Sequence, residues 1–535
     1  MTERPRLTVV GAGPAGLAAA LAAAARGVHV TLVDAADQAG GQFYRQPATA
    51  LGATRPQALH HQWHTWERLR TGLARHRETG RITHLTDHHV WCVARDPLTG
   101  AFGVHALRGA AREESATVRA DAVLLATGGY ERVLPFPGWT LPGVVTAGGA
   151  QAMLKGGLVL PGRTAVVAGS GPLLLPVATG LAAAGARVAA LVESARPAAL
   201  LRRAPALAAQ PGKLAEGAGY AARLLRHGVP VLARHTVVAA HGTDRLEAVT
   251  VAALGRAGDL RPGSARRIRC DTLAVGHGML PHTDLAETLG CTLSGTAVRV
   301  DDEQRTDVTG VWAAGEATGV GGAGLALAEG HIAGRSAAAR LYGTDPDPRG
   351  WAAARLARTR LREFARALDA VYEPPEGWAD RIPDDTVVCR CEEVTAGEVR
   401  GAVATLGAGD LRTVKLLSRA GMGWCQGRMC APAVAGLTGC PLTPGRRPFA
   451  RPVPLGVLAG LPDTKAGLPD MKAGPPDTKA RPPDTKTGPP DTKAGPPDMD
   501  ACRPGADGST PDADTGPPPS GTGSRHTDAG PPDTG

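Results

Sequence analysis

Four cysteines in the last third of the chain have a spacing that can bind a metal centre. They form a C-x-C pair, Cys389 and Cys391, and, after 33 intervening residues, a C-x4-C pair, Cys425 and Cys430. Four thiolates can hold a [2Fe–2S] cluster, and they can also hold a structural zinc ion. Zinc sites favour cysteines separated by about two to four residues, so the C-x-C pair favours the iron–sulfur cluster over zinc and over four unligated thiols.

A glycine-rich segment near the N-terminus has the residue types of a dinucleotide-binding loop. An apolar run ends at a G-x-G-x-x-G spacing, and an alanine-rich helical pattern follows it. The first glycine permits the tight turn, the second lets the backbone approach a pyrophosphate, and the third lets the helix pack on the strand. The phosphates would bind the free N–H groups at the helix N-terminus. The candidate binding residues are Gly11, Gly13, Pro14, Ala15 and Gly16.

A second apolar strand pattern, over residues 28–33, ends at Asp34. A carboxylate near this distance from the glycine loop binds a ribose hydroxyl in dinucleotide sites. Strand, glycine loop, helix and acidic strand end together predict dinucleotide binding. A glycine-rich turn without a ligand is the alternative, and this context disfavours it.

A second segment of the same kind begins at residue 164. It contains Gly169 and Gly171, and the next strand pattern ends at Glu193, where the ribose of NAD would need an acid. Leu174 replaces the third glycine and Pro176 follows, so the helix is held away from the strand and the approach of a pyrophosphate changes. We predict a Rossmann-like domain here, and NAD(P) binding by this domain stays open.

The elements that must position these residues alternate between strands and helices. A helical pattern covers residues 56–76, and a buried strand pattern begins at residue 121. Short strand patterns cover residues 82–85, 89–93, 102–107 and 117–119. The pattern predicts an α/β fold with two Rossmann-like dinucleotide-binding domains, and the cysteines fall in a small, mainly helical module.

The segment ATGG, followed by Arg132 and LPFPG, resembles a strand and turn of the pyridine nucleotide-disulfide oxidoreductase family. In that family this turn lies near the flavin and leads into the second domain. The resemblance implies that FAD occupies the first dinucleotide site and that the second Rossmann-like domain is inserted in the first. It adds Ala126, Thr127 and Gly128 to the candidate flavin contacts.

Two further segments resemble flavin-binding parts of the same family. The glycine pair ending at Gly41 resembles the loop under the isoalloxazine ring, which makes Gln42, Tyr44 and Arg45 candidate neighbours of the flavin. Loop packing is the alternative for these three side chains. The strand ending at residue 316 has Ala-Gly-Glu where the family has Ala-Gly-Asp. The resemblance therefore implies that Gly315 and Glu316 lie at the ribityl chain, and that a helix over residues 324–341 approaches the flavin pyrimidine edge.

The missing cysteines exclude one activity of that family. Its disulfide reductases carry a redox-active cysteine pair after the first glycine loop or in the second domain, whereas residues 34–60 and 130–260 contain no cysteine. Cys92, Cys270 and Cys291 each stand alone, and we expect them to be buried structural residues. We therefore predict that the protein is not a disulfide reductase.

The cysteine module strongly resembles the bacterioferritin-associated-ferredoxin-like (BFD-like) [2Fe–2S] domain, because both cysteine pairs and the context GMGWCQGRMC match together. With GGQFYRQ and GSGPLLLPVA, the chain is similar to the A or alpha flavoprotein subunits of opine oxidases and hydroxyproline dehydrogenases, and to the B subunit of hydrogen cyanide synthase. This resemblance implies a second flavoprotein subunit of amino-acid-oxidase type and a small amine or amino acid as substrate.

The expected domain bounds follow from these segments. They are 1–145 and 270–345 for the FAD-binding domain, 146–269 for the inserted domain, 385–445 for the BFD-like domain and 460–535 for a tail. The tail begins with six proline-containing heptapeptides such as GPPDTKA. Proline in every repeat prevents a helix, and the absence of aromatic residues leaves little to bury, so we predict a disordered tail. A repeat expansion without function is favoured over a docking segment.

The composition restricts the classes of molecule that the protein could bind. The formal charge is +9, and the 11 basic residues from Arg446 onward are matched by 12 aspartates, so the remainder carries about +10. That charge forms no basic run with interleaved aromatic residues, which argues against nucleic acid and suits anionic cofactors or an acidic partner. No apolar run is suited to span a membrane. Nine cysteines without a secreted-domain pattern indicate a reducing compartment, so we predict a cytoplasmic protein.

The leading functional hypothesis is an FAD-dependent oxidoreductase subunit that passes electrons from C–N oxidation of an amine or amino acid through FAD and a [2Fe–2S] cluster to an acceptor. A stand-alone NAD(P)H-dependent flavin reductase is one alternative. A non-catalytic electron-transfer or assembly subunit is the other. The sequence identifies no catalytic acid or base.

Overall fold

The computed structural model describes residues 4–109, 111–442 and 447–460, and its first sheet contains the N-terminal glycine segment. Five parallel strands form this sheet, in the order Val311–Ala313, Ala122–Leu125, Arg6–Val10, His29–Val33 and Ile82–Leu85. The chain leaves the central strand to one side and returns on the other. The loop after Val10 therefore opens at the switch point of the sheet, where α/β proteins bind ligands.

Two helices, Pro14–Ala24 and Gly322–Leu341, pack closely together beside the first sheet. A Cβ added at Gly330 would lie 2.0 Å from the carbonyl oxygen of Ala15, and one at Gly334 would lie 2.2 Å from that of Ala19. Small residues thus let the two backbones come into direct contact. The second helix begins at Gly322, two residues before the start predicted from sequence.

The helix predicted over residues 56–76 is divided in the structure. A 3₁₀ turn covers Pro56–Leu59 and an α-helix covers Trp63–Glu78. Gln62, which precedes the α-helix, has a φ of +58°. Because a helix cannot continue through this left-handed conformation, the apolar periodicity alone overestimated the length of the helix.

The second sheet also has five parallel strands, in the order Val231–Ala233, Arg187–Glu193, Thr164–Gly169, Thr272–Gly276 and Val144–Thr146. The sequence placed the chain back in the first domain from residue 270, but Thr272–Gly276 lies inside the second sheet. The Asp271 carboxylate fixes this placement, since it accepts hydrogen bonds from the backbone N–H groups of Arg163 and Thr164, both at 3.0 Å. An apolar run does not reveal which of two similar sheets it joins.

Helices and smaller sheets complete the two α/β layers. Three helices accompany the second sheet, at Ala147–Gly157, Leu174–Ala183 and Pro211–Arg226. Two antiparallel sheets consist of His88–Arg95, Phe102–Arg108 and Glu114–Ala120, and of His235–His241, Ala248–Ala253 and Arg266–Arg269. Two-stranded pairs join Gly129–Glu131 to Met279–Pro281, and Leu293–Ser294 to Ala297–Val298.

The long helix Ala352–Asp369 leads to the cysteine module, which is small and mainly helical as predicted. The pair Val387–Cys389 and Val394–Thr395 is followed by the helices Ala396–Ala404, Leu411–Ser418 and Ala431–Thr438. Thr395 and Glu398 form a capping box that fixes the start of the first of these helices. The module has its own apolar core, built around buried side chains such as Val399 and Val414.

The remaining elements are short. They are the helices Ala204–Ala208, Asp284–Thr288 and Leu455–Ala459 and the 3₁₀ turns Thr49–Leu51, Pro197–Arg203, Gly315–Thr318 and Pro348–Trp351. No helix in the described part of the chain combines the length and the hydrophobicity that crossing a bilayer requires. Except for Gly460, the tail predicted to be disordered lies outside the described residues.

Candidate functional site

The first glycine loop has the close contacts that its sequence predicts. Gly11 has a φ of +103°, and a Cβ there would lie 2.3 Å from the carbonyl oxygen of Ala126. A Cβ at Gly16 would lie 1.8 Å from the carbonyl oxygen of Gly11, so this residue lets the helix pack against the turn. Gly13 instead faces open space, since its added Cβ would meet only the Cα of Gly41, at 3.9 Å. A ligand can therefore reach the backbone at Gly13.

Asp34 joins the end of its strand to this loop. Its carboxylate accepts hydrogen bonds from the N–H of Ala12 and, at 2.7 Å, from the N–H of Ala36. Burial raises the pKa of Asp34 above its usual value, although both hydrogen bonds favour the ionised form. A carboxylate has about four lone-pair positions, so two stay available for the hydroxyl groups of a ligand.

One cavity of about 2490 Å³ runs along the carboxyl edges of both sheets. Most of the residues predicted to bind a cofactor line it: Gly11, Gly13, Pro14, Ala15, Asp34, Gly41, Gln42, Arg45, Ala126, Thr127, Gly128, Gly171 and Glu316. The other four, Gly16, Gly169, Glu193 and Gly315, do not line the cavity. Gly16 and Gly315 allow close packing, Gly169 lies against the carbonyl oxygen of Gly276, and the Glu193 carboxylate bonds to backbone. Tyr44, a further candidate, is fully buried and stacks on Trp66.

Glu316 is held at the cavity by residues that the sequence did not identify. Glu329, which is 1% exposed, accepts hydrogen bonds from the N–H of Gly315 at 3.0 Å and from the Thr318 hydroxyl at 2.9 Å. Arg362 pairs with Glu329 and donates to the carbonyl oxygen of Gly319 at 3.0 Å. This buried ion pair fixes the turn that carries Glu316. In the sequence, Glu329 could be noticed only as a glutamate within a helical segment of small and apolar residues.

Two more titratable side chains line the cavity and were missed. Glu131 accepts a hydrogen bond from the N–H of Gly148 at 2.8 Å, and burial raises its pKa. Lys155 donates to the carbonyl oxygen of Phe43 at 3.2 Å, and burial, together with the charge of Arg45, lowers its pKa to about 8. Neither residue belongs to a motif, so only the tertiary structure reveals them.

The second glycine loop resembles the first, because an acid at the end of the next strand again accepts an N–H group of the loop. The Glu193 carboxylate accepts from the N–H groups of Gly171 at 3.1 Å and Ala195 at 2.8 Å, and burial raises the pKa of Glu193 to about 7. The helix of this loop begins only at Leu174, a buried residue. The Ser170 hydroxyl also donates to the carbonyl oxygen of Tyr372 at 2.9 Å, so a distant segment contacts this loop.

The four cysteines of the candidate cluster site meet as two pairs of thiols. Cys391 interacts with Cys425, and Cys430 interacts with Cys389. Burial, followed by the neighbouring thiols, raises the pKa of Cys430. Cys430 directly precedes the helix Ala431–Thr438, so the positive end of the helix dipole favours negative charge there.

This arrangement of thiols fits a two-iron cluster. Within the described ranges, no group of three or more His, Cys, Asp or Glu side chains is placed to hold a metal ion. A [2Fe–2S] cluster takes four cysteine thiolates, the number that these two segments bring together. Cys389 and Cys430 are buried, whereas Cys391 is exposed, so one side of such a cluster would face solvent.

Cys92, Cys270 and Cys291 are buried and separate from this site, as predicted. Burial raises the pKa of Cys92 and of Cys291 to about 11 and that of Cys270 to about 12. Thiols with such values are uncharged at neutral pH and are poor nucleophiles.

Known proteins resemble the chain over nearly its whole described length. Residues 5–338 match the pyridine nucleotide-disulphide oxidoreductase family, and residues 387–437 match the BFD-like [2Fe-2S] binding domain. The HcnB subunit of hydrogen cyanide synthase from Pseudomonas aeruginosa is 34% identical over 80% of this chain and 91% of its own length. The opine oxidase A subunit of Agrobacterium tumefaciens is 33% identical over 80% of this chain and 84% of its own length.

A solved structure supports the fold. The L-proline dehydrogenase structure from P. horikoshii superposes with a TM-score of 0.59 and 21% identity, and the match covers 86% of this chain and 81% of that one. At this identity the likeness concerns the fold alone. The family match and the two relatives carry the assignment: the chain belongs to the pyridine nucleotide-disulphide oxidoreductase family, an FAD-binding family, and has a C-terminal BFD-like [2Fe-2S] domain.

Proposed function

We propose that this chain is the electron-transferring flavoprotein subunit of an oxidase or dehydrogenase that oxidises a C–N bond of an amine or amino acid. One observation carries the proposal: the loop that carries Cys425 and Cys430 bonds to Asp284, which lies beside the cavity-lining turn of the FAD-binding domain. Arg428, between Cys425 and Cys430, donates to Asp284 at 2.7 Å, and the neighbouring His282 bonds to Gly128 in that turn. An electron donor and an electron acceptor would thus be neighbours.

FAD would occupy the part of the cavity at the first sheet. Its pyrophosphate would lie at the backbone of Gly13, and its ribose would use the free lone pairs of Asp34. Glu316, on the turn fixed by Glu329 and Arg362, would face the ribityl chain. Bound FAD supplies the chemistry of accepting two electrons, while the protein binds, orients and shields it.

The cluster would be held by Cys389, Cys391, Cys425 and Cys430. A [2Fe–2S] centre handles single electrons, so it suits a chain that must divide a two-electron oxidation into one-electron steps. The three other free cysteines in the described part of the chain are buried and isolated, which supports the proposal that the chain is not a disulfide reductase.

The proposal includes a partner. Both relatives are named as subunits, one of opine oxidase and the other of hydrogen cyanide synthase. We infer that a second flavoprotein subunit of amino-acid-oxidase type performs the C–N oxidation and delivers electrons to this chain.

The test compares the isolated chain with the chain coexpressed with a candidate second subunit, a flavoprotein of amino-acid-oxidase type. Both should contain FAD, iron and sulfide, and only the pair should reduce a dye when amino acids or amines are added. Substantial amino-acid-dependent turnover by the isolated chain would defeat the partner model. If the complex of the two subunits is active although this subunit contains no iron, the chain acts as an assembly subunit.

One observation favours a second candidate function, the stand-alone NAD(P)H-dependent flavin reductase. The cavity continues from the first loop to Gly171, and Glu193 occupies the same place at the second loop as Asp34 at the first. Rapid bleaching of the bound flavin by NADH or NADPH alone would support it. Flavin that stays oxidised with both nucleotides, in protein that dithionite still reduces, would eliminate it.

A further inference from the structure

One carboxylate of the FAD-binding domain binds two arginines, one of which lies in the cysteine module. Asp284, the first residue of the helix Asp284–Thr288, has a side chain that is only 12% exposed. It accepts hydrogen bonds from Arg428 at 2.7 Å, from Arg447 at 2.8 Å and from His282 at 2.9 Å. Burial by itself would raise the pKa of Asp284, but these three partners hold the pKa well below its usual range. Asp284 is therefore a charged anchor.

Arg428 connects this anchor to the backbone that carries the second cysteine pair. Besides its bond to Asp284, its guanidinium donates to the carbonyl oxygen of Cys425 at 3.2 Å and to that of Ala450. A planar guanidinium can hold several acceptors in a fixed geometry, which a lysine cannot do. Arg428 thus holds the cysteine loop by polar contacts, beside the apolar packing of Met429 against the core that contains Trp139.

The other side of the anchor contacts the flavin cavity. The N–H of His282 donates to the carbonyl oxygen of Gly128 at 2.9 Å, and the Thr127 hydroxyl donates to the carbonyl oxygen of His282 at 2.6 Å. The rings of Tyr130 and His282 meet edge to face, with centroids 6.1 Å apart. Thr127, Gly128 and Tyr130 all line the cavity. A short chain of bonds therefore joins the cavity wall to the cysteine loop.

The first cysteine pair has a separate anchor. The indole N–H of Trp139, a buried residue before the second sheet, donates to the carbonyl oxygen of Val387 at 2.6 Å. The guanidinium of Arg390 lies 5.3 Å from the centroid of the Trp139 ring. Because this contact holds the Cys389–Cys391 segment independently, loss of the Asp284 anchor should shift the second pair without releasing the whole module.

We propose that Asp284 and Arg428 are positioning residues that set the separation between the flavin and the cluster, and thereby the rate at which electrons pass between them. The inference rests on the proposed function, since it assumes that both cofactors are bound. Oxidation of reduced FAD releases two electrons and two protons. The electrons leave one at a time through the cluster to a one-electron acceptor, which is ferricyanide in the assay below, and the protons go to solvent.

The experiment uses full-length holoenzyme, reduced anaerobically and mixed with saturating ferricyanide in a stopped-flow instrument. The limiting rate of flavin reoxidation reports transfer through the cluster, and Cys425→Ser supplies the rate of direct flavin oxidation. We expect Asp284→Asn and Arg428→Met to lower the limiting rate several-fold, because the rate of electron transfer falls as the distance between the two cofactors grows. Asp284→Glu, which keeps the charge, should recover most of it. Hydrogen exchange at residues 423–430 should increase in the two slow variants.

The matched control is Asp384→Asn, which removes a carboxylate paired with Arg400 near the cysteine module and away from the flavin turn. Its limiting rate should equal that of the native protein. An unchanged rate in both Asp284→Asn and Arg428→Met, with FAD and iron at native levels, would overturn the inference while leaving the proposed function intact. Loss of iron or FAD in Asp284→Asn and Arg428→Met would also overturn the inference, because the two residues would then be needed to bind the cofactors. Native protein without FAD or iron would instead refute the proposed function.

Discussion

At the residue scale, Asp34 and Glu193 occupy equivalent positions in the two sheets. Each ends the second strand of its sheet, and each accepts one N–H from the glycine loop and one from two residues further along the chain. Both carboxylates are buried, and burial raises the pKa of both. The two residues differ in access to ligands, since Asp34 lines the cavity and Glu193 does not.

Asp34→Ala should weaken FAD retention. The change removes a charged acceptor for a ribose hydroxyl, which is worth about 1.5–3 kcal/mol, or roughly 10- to 150-fold in the dissociation constant. Fluorescence titration of apoprotein with FAD measures the effect. Asp244→Ala, which removes a carboxylate from an exposed loop of the second domain, should bind FAD as the native protein does. Equal affinity in both variants would remove Asp34 from the site.

Glu193→Gln should change how stability depends on pH. The folded pKa of about 7 lies above the ordinary value of 4.5, so the native fold favours the protonated acid. The stability that this provides is fully present below pH 4.5 and is lost as the pH rises to 7, by about 2–3 kcal/mol. Because glutamine does not titrate, the native protein should lose stability relative to Glu193→Gln over this range.

Urea unfolding of both proteins at several pH values tests this expectation. Glu247→Gln, at an exposed position of the same domain, serves as the control and should follow the native profile. A stability difference between native protein and Glu193→Gln that is constant from pH 4.5 to pH 8 would show that the Glu193 carboxyl ionises normally.

At the element scale, the FAD-binding domain depends on the close contact between its two glycine- and alanine-rich helices. A Cβ at Gly334 would lie 2.2 Å from the carbonyl oxygen of Ala19, whereas one at Gly324, in the same helix, would lie 3.6 Å from Leu361. The first contact is impossible without moving a backbone, and the second is an ordinary van der Waals contact. The two positions form a matched pair for substitution.

Gly334→Ala should therefore destabilise the protein by about 1–3 kcal/mol, since overpacking forces the helices apart. Gly324→Ala should be neutral or stabilising by up to about 1 kcal/mol, because alanine is a better helix former than glycine. Thermal unfolding followed by circular dichroism distinguishes them. A Gly334→Ala variant as stable as Gly324→Ala would show that the helices are not in contact.

At the scale of the whole molecule, the two sheets and the cysteine module belong to one compact unit. The sequence of the heptapeptide tail has a proline in every repeat. Removal of residues 461–535 should leave FAD, iron and thermal stability unchanged, because a proline in every repeat prevents the tail from contributing a helix to the core. Cofactor analysis of the truncated protein measures this. Loss of FAD, iron or solubility on truncation would show that the tail contributes to the folded protein.

Two Rossmann-like domains, both glycine loops and the cysteine module could be predicted without coordinates, because these features depend on residue type and spacing over short distances. Gly11 and Gly16 have the close contacts that their motif predicts. The α/β class and the resemblance to flavoprotein subunits could likewise be predicted without coordinates, and the family match and the relatives confirm both.

The contacts between distant segments could be read only from the three-dimensional fold. It placed the strand Thr272–Gly276 in the second sheet, joined Glu329 to Arg362 and brought Arg428 to Asp284, which is 144 residues away. None of these partners has a local pattern, because an ion pair needs only opposite charges that the fold brings together. Periodicity reports which face of an element is buried; it carries no information about which other element covers that face.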